Sequence, residues 1–217
     1  MTMTRSRHYS FTTGCKKCAR LTAFLKSVKE EFPDYFAKPV PSFGDPEARL
    51  LVVGLAPGMH GANRTGRPFT GDHAGILLYK TLFDTGFSNH PESLAVDDAL
   101  TLINCRITNA VRCLPPQNKP IGAEVNHCNN YLYEELVSVP KGGVVIALGA
   151  IAHNAIVSAL KLKKSNYKFG HGLTHRLTDE LTLIDSYHCS RYNTQTKRLT
   201  PDMFLDVFQE AKILLES

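Results

Sequence analysis

Four short apolar runs stand out along the chain: Leu50 to Leu55, Leu102 to Thr108, Val144 to Leu148 and Leu181 to Ile184. Unbroken runs of this length are what strands buried on both faces require. Around them the spacing turns helical. Leu21, Phe24, Leu25, Val28 and Phe32 predict a helix from about Lys16 to Phe32, after which Pro33, Pro39 and Pro41 force a non-helical crossing. Asp72 heads a second helix with Ile76, Tyr79, Leu82 and Phe83 inward, and two more run from about Gly122 to Leu136 and from Ala150 to Leu162. Thr200 and Pro201 open the last, a cap followed by proline at the first helical position, with Phe204, Val207, Phe208, Ala211 and Leu215 inward.

Strands alternating with helices predict an α/β fold in which a mostly parallel sheet is covered on both faces. Ligands of such sheets bind beyond the carboxyl ends of the strands. That places candidate chemistry at Ala56 to Asp72, Asn109 to Asn118 and Ser186 to Asn193. The polar, basic residues 1–12 predict a loose tail before one domain over 13–217.

With 217 residues, 43% of them apolar, the chain can bury a sizeable core, which excludes disordered and fibrous classes. Its net charge of +5 suits an anionic partner without demanding one. The longest charge-free stretch, Gly142 to Leu160, divides into a strand and a helix, so no membrane segment is expected. The N-terminus has no apolar signal region, so a reducing, cytoplasmic setting is expected. There, metal ligation or catalysis explains six cysteines better than disulfides do.

The stretch Gly54 to Asp72 is a glycine-rich strand-to-helix loop, but it lacks the lysine and spacing of a phosphate-binding P-loop. Asp72 reads equally as a plain helix N-cap, and Phe69 as core. Asn109 and Asn118 carry amides able to read a base edge, although Asn118, among prolines, reads more readily as a turn residue. The last loop gathers His188, Ser190, Arg191 and Asn193 with two tyrosines, a mix that suits phosphate contacts beside a polar catalytic group.

Cys15 and Cys18 form a close pair; Cys113 and Cys128 have fourteen residues between them. Four such thiolates can enclose either a tetrahedral zinc or an iron–sulfur cluster. Cys105 sits inside a buried run and reads as core, while Cys189 reads as a spare loop thiol.

Together these segments resemble the uracil-DNA glycosylase superfamily, and within it the family 5 (type-5, UDGb) enzymes. Gly54 to Asp72 is similar to that family's first motif, Ser186 to Thr200 to its second, and Cys15, Cys18, Cys113 and Cys128 match the ligands of its four-iron four-sulfur (4Fe-4S) cluster. The resemblance implies a three-layer α/β/α sandwich on a four-stranded mostly parallel sheet. It also implies hydrolysis of the N-glycosidic bond of uracil, and of other deaminated bases, in DNA, by a monomer acting in base excision repair in the nucleoid. Ala56 stands where most superfamily members carry Asp or Asn. Family 5 shares that gap, and its catalytic aspartate matches Asp72, with His188 as the second-motif histidine and Phe69 as the stacking aromatic. Asn109 stands where some family 5 members carry alanine and family 4 enzymes a uracil-reading asparagine, which points toward uracil. Ser190, Arg191 and Asn193 are expected to grip phosphates or fill the vacated space. The competing class is a non-catalytic zinc-containing module that binds nucleic acid; it explains the cysteines but neither loop.

Overall fold

The computed structural model describes residues 11–217 and contains, among them, six strands and seven α-helices. In chain order these are α1 (Ala19–Glu31), β1 (Phe43–Gly44), β2 (Leu50–Gly54), α2 (Ala62–Thr65), α3 (His73–Asp84), β3 (Cys105–Asn109) and α4 (Gly122–Ser138). Then come β4 (Gly143–Leu148), α5 (Ala150–Ala159), β5 (Thr174–Arg176), β6 (Leu181–Ser186), α6 (Arg191–Gln195) and α7 (Pro201–Glu216). Of the expected tail, residues 1–10 lie outside the described residues. Phe11 is packed edge-on against Tyr131, 5.5 Å between ring centroids.

The sheet order is β1-β3-β2-β4-β6-β5. Its four central strands are parallel and coincide with the four apolar runs. The expected four-stranded sheet is thus corrected to six, because β1 and β5 add antiparallel edges. Two or three partly exposed residues each, they carry no apolar run, as sheet edges commonly do.

Side chains alternate across the central strands and divide the core into two layers. Leu50, Val52, Ile107, Val144, Ile146 and Ile184 face α3 and α7, meeting Leu78, Tyr79, Leu82, Phe204 and Phe208. Leu51, Val53, Val145, Ala147 and Leu183 face α4 and α5, meeting Leu132, Leu136, Ala155 and Ile156. The result is the expected three-layer α/β/α sandwich. Each fully buried Leu, Ile or Phe here is worth roughly 1.5–3 kcal/mol of transfer free energy, so a charge at any of them would be uncompensated.

Helix α3 buries Tyr79 and Leu82 as expected, but not Ile76 and Phe83. Gly75, Leu78, Tyr79 and Leu82 point inward, whereas Ile76 is 69% exposed and Phe83 44% exposed. Positions 75, 78, 79 and 82 follow the i, i+3, i+4, i+7 rule, and Ile76 sits one helical step, about 100°, off that face. The loop thiol of Cys189 is also corrected: it is fully buried in the α3–α7 core layer.

A third cluster packs α1 against the segment after β3, through Leu21, Leu25, Val28, Val111 and Leu114. Arg20 of α1 reaches Glu124 of α4 with two contacts of 2.8 Å, which fixes the helix across the crossover.

Candidate active site

Parallel strands end on one side of the sheet, and there three loops enclose a cleft of about 480 Å³. Ala56, Phe69 and Asp72 come from the loop between β2 and α3; Asn109 and Asn118 from the end of β3 and the turn beyond it; His188, Ser190 and Arg191 from the segment after β6. All eight line the cleft. Asn193 does not: its Nδ2 donates to the His188 carbonyl oxygen at 2.8 Å, so it holds the histidine loop rather than facing the opening.

Asp72 is both an N-cap and a cleft residue. Its Oδ1 accepts the Gly75 N–H at 2.8 Å, capping α3. Its other oxygen borders Gly61, where an added Cβ would come within 2.6 Å of Oδ2. Glycine at 61 therefore leaves the carboxylate room. Burial raises the Asp72 pKa above the usual carboxylate value, against the lowering pull of the first-turn N–H groups.

Phe69 is both core and cleft wall. It is 5% exposed with φ 55°, a left-handed conformation that a bulky residue adopts only when its surroundings hold it there. Tyr79 Oη donates to the Pro68 carbonyl at 2.7 Å. Arg67, buried, donates to Thr70 Oγ1 at 2.8 Å, Ser93 Oγ at 2.7 Å and Asp98 Oδ2 at 2.6 Å. Burial opposes the charge on Asp98, but Arg67 and three backbone N–H groups hold its pKa down to about 2. This network clamps the Phe69 loop to the 93–98 segment. Gly54 completes the fit: a Cβ there would lie 2.4 Å from Asn109 Oδ1 and 2.6 Å from Phe69 Cζ.

Asn109 pairs with Gly54 in the sheet and is 3% exposed, its Oδ1 buried without a hydrogen-bond partner. An orphaned buried amide oxygen beside a cleft is a polar group waiting for a ligand. Asn118, exposed with φ 56°, stands at the mouth and donates its N–H to Pro115 O at 3.1 Å. It is thus the turn residue its prolines predict while still lining the cleft.

The His188 ring lies 6.1 Å from the Phe69 ring, its Nδ1 sealed in without a partner. Desolvation pulls its pKa down to about 4, so the imidazole is neutral at pH 7. Gly149, φ 95°, permits the close approach of this loop; an added Cβ would meet His188 Cβ at 3.4 Å. The β4–α5 turn around Gly149 to Ile151 lines the cleft too. Sequence reasoning passed over this strand end, although a glycine directly after an apolar run signalled it. His73 was also missed; it opens α3, lines the cleft and has a buried Nδ1 without a partner.

His153 and Asp185, both buried, form a trio with the partly exposed His175. His153 Nδ1 is 2.7 Å from Asp185 Oδ1 and its Nε2 3.0 Å from the Tyr167 carbonyl; His175 Nε2 is 3.4 Å from Asp185 Oδ2. The Tyr167 carbonyl only accepts, so Nε2 carries a proton, and Nδ1 faces the Asp185 carboxyl. Burial lowers the His153 pKa, but Asp185 and the Tyr167 carbonyl more than offset that and raise it.

The four predicted metal ligands come together. Cys15, Cys18, Cys113 and Cys128 line one small pocket with His127 and Tyr131. Cys18 Sγ is 3.3 Å from His127 Nδ1, and Tyr131 Oη donates to Cys15 Sγ at 3.5 Å. Burial, with the neighbouring sulfurs, pushes the Cys18 pKa to about 11 and raises Cys113; burial also raises Cys128. Four convergent sulfurs, three of them held protonated by burial, are a donor set that fits a metal centre. Among the described residues, the set of three or more ligand atoms within 4.8 Å of one another is His153, His175 and Asp185, so no three of the four sulfurs draw that close. A single zinc, with bonds near 2.3 Å, would hold its sulfurs closer than that. Cys113 lies four residues beyond Asn109 and five before Asn118, so whatever binds the thiols also anchors both amides.

Comparison with known proteins agrees with this geometry. The model of the uracil DNA glycosylase superfamily matches residues 41–212. A type-5 uracil-DNA glycosylase of Thermus thermophilus is 48% identical over 217 residues, covering 98% of this chain and 99% of the relative. One from Pyrobaculum aerophilum is 40% identical over 91% of this chain and 88% of its own length, and one from Mycobacterium tuberculosis 41% over 92% and 78%. Among the described residues no helix is long and apolar enough to cross a membrane.

Proposed function

The chain belongs to the uracil DNA glycosylase superfamily and groups there with the type-5 enzymes, and on that premise we propose the chemistry of its cleft. The enzyme hydrolyses the N-glycosidic bond of uracil in DNA, and its roomy cleft extends this to other deaminated bases. The carrying observation is one cleft that unites a carboxylate oxygen with room beside it, a neutral imidazole, an aromatic wall and an orphaned amide.

The target nucleotide leaves the duplex at a cost of a few kcal/mol, least for a mispaired base. Its base stacks on Phe69 above Ala56, and Asn109 bonds its edge, with Asn118 closing the mouth. As the C1′–N1 bond breaks, its electron pair leaves with the base and positive charge develops on the sugar. Asp72, ionised, stabilises that charge and takes a proton from the water whose oxygen bonds to C1′. Neutral His188 donates a hydrogen bond to the departing anion, the task of an oxyanion donor. Ser190 and Arg191 grip the flanking backbone, and Asn193 fixes His188 from behind. The enzyme acts as a monomer, on DNA in the nucleoid.

Cys15, Cys18, Cys113 and Cys128 would hold a 4Fe-4S cluster, which supplies a cross-link between α1, α4 and the Asn109–Asn118 segment. A brown protein with about four irons per chain supports this; a colourless one with a single zinc overturns it. Activity is tested by uracil release from a uracil-containing duplex, scored as alkali-labile breaks. Breaks that depend on the enzyme are expected, and their absence with folded protein would overturn the reading. The zinc-module alternative leaves the cleft without a purpose.

A further inference from the structure

Beside the base cleft lies a second hollow of about 590 Å³, and Asp72, His73 and Arg191 belong to the walls of both. Its far side is built from Arg64, Ile76, Glu92 and Leu94. Three features of this hollow need explanation. Arg64 is exposed and, like Arg191, has no acidic partner for its guanidinium among the described residues. Its Nη2 lies over Gly71, where an added Cβ would be only 2.5 Å away. Ile76 and Leu94 are 69% and 66% exposed, and both line this hollow.

Leu94 is not exposed because its loop is slack. Its N–H donates to Asp98 Oδ2 at 3.0 Å, and the neighbouring Ser93 carbonyl accepts the Gly71 N–H at 3.0 Å. The Arg67 clamp described above grips the same segment. A leucine presented to water on a pinned backbone, in the same wall as an isoleucine turned off its helix's core stripe, is an apolar surface held ready for contact.

The position supplies the occupant. If a base fills the cleft on one side of Asp72, the glycosidic bond sits at Asp72, and the sugar and adjoining phosphates must emerge across it. We propose that this second hollow is the track of the target DNA strand beside the extruded nucleotide. Arg64 and Arg191 neutralise its phosphates, while Ile76 and Leu94 meet the apolar faces of the neighbouring sugar and base. Glu92, the other acid in this wall, repels the strand and limits its affinity. The inference rests on the glycosylase reading, shares Arg191 with it, and assigns Arg64, Ile76, Glu92 and Leu94, which the base-cleft chemistry does not use.

The test is equilibrium binding of an abasic-site duplex, the reaction product, across a salt series. Removing one phosphate contact flattens the slope of log K against log salt by about 0.9 for duplex DNA. Arg64→Gln should do this, and Arg64→Lys should restore the slope. Leu94→Ser should weaken binding several-fold without changing the slope, and Glu92→Gln should strengthen it. Lys141→Gln is the control, since Lys141 pairs with Glu180 at the amino ends of β4 and β6, away from the cleft. An Arg64→Gln slope equal to that of Lys141→Gln overturns the proposal even if the wild type releases uracil. A wild type that releases no uracil overturns the glycosylase reading instead.

Discussion

Replacing Asp72 by asparagine and by alanine separates helix capping from the catalytic task proposed for this residue. Oδ1 caps α3 through the Gly75 N–H, and the second oxygen, beside Gly61, is the one proposed to act in the cleft. Asparagine caps a helix about as well as aspartate, whereas alanine costs roughly 0.5–2 kcal/mol. Burial raises the Asp72 pKa in the folded state, so ionising it works against folding. Its protonated form is the better tolerated, and that advantage is lost as pH rises from the ordinary value of 3.8 through the raised folded value. At pH 7 Asp72→Asn is therefore expected to be at least as stable as the wild type, with the gap closing in acid. Asp72→Ala should melt below Asp72→Asn by about 2–4 °C for each kcal/mol of lost capping. Both should lose activity by roughly 10²–10⁴-fold if Asp72 acts as general base and charge stabiliser. The assay is single-turnover release of uracil, run beside thermal unfolding of the same preparations. Near-normal excision by Asp72→Asn would refute the catalytic assignment, and an Asp72→Ala variant as stable as Asp72→Asn would refute the capping argument.

Other outcomes follow from the same geometry. His188→Ala should lower single-turnover excision by about 10²–10³-fold, as for one lost oxyanion donor. An NMR titration of that imidazole should show a midpoint about 4; one at the ordinary 6.5 would refute the desolvation argument, and one well above 7 would remove the neutral-donor role. Gly54→Ala drives a methyl into Asn109 and Phe69, so excision should fall while circular dichroism stays native and stability drops by about 1–3 kcal/mol; unchanged excision would show that the amide and ring need no such fit. His153→Gln breaks a buried pair and should cost roughly 3–5 kcal/mol in denaturant unfolding. Because the His153 pKa is raised on folding, its contribution is full below 6.5 and is lost as pH rises through the folded value, so the cost of the substitution should shrink in alkali; a pH-independent cost would contradict this.

Several features of the site were legible for a physical reason. A loop leaving a buried parallel strand must either turn at once or do something, and the loops after β2, β3 and β6 are too rich in glycine, amides and donors for simple turns. Phe69 and Asp72 were each open to a bland reading as core or cap, and those readings also hold: the same side chains that pack or cap also wall the cleft. Asn193 carried no local sign that its amide would turn back onto the His188 carbonyl. Nor did Arg67, whose partners Ser93 and Asp98 lie 26 and 31 residues away.

By itself the sequence determined the four central strands, the helices between them and the family chemistry. Strands buried on both faces must be apolar throughout, helices repeat at a fixed angle, and ligand-binding loops need unusual residues; all are local patterns. Only the tertiary structure decided the edge strands β1 and β5, whose exposed residues need no pattern. It also decided the outward turn of Ile76, the burial of Cys189 and the contribution of the β4–α5 turn to the cleft. Each of these depends on which surfaces meet across the fold, and a contact between residues distant in the chain leaves no periodic trace along it.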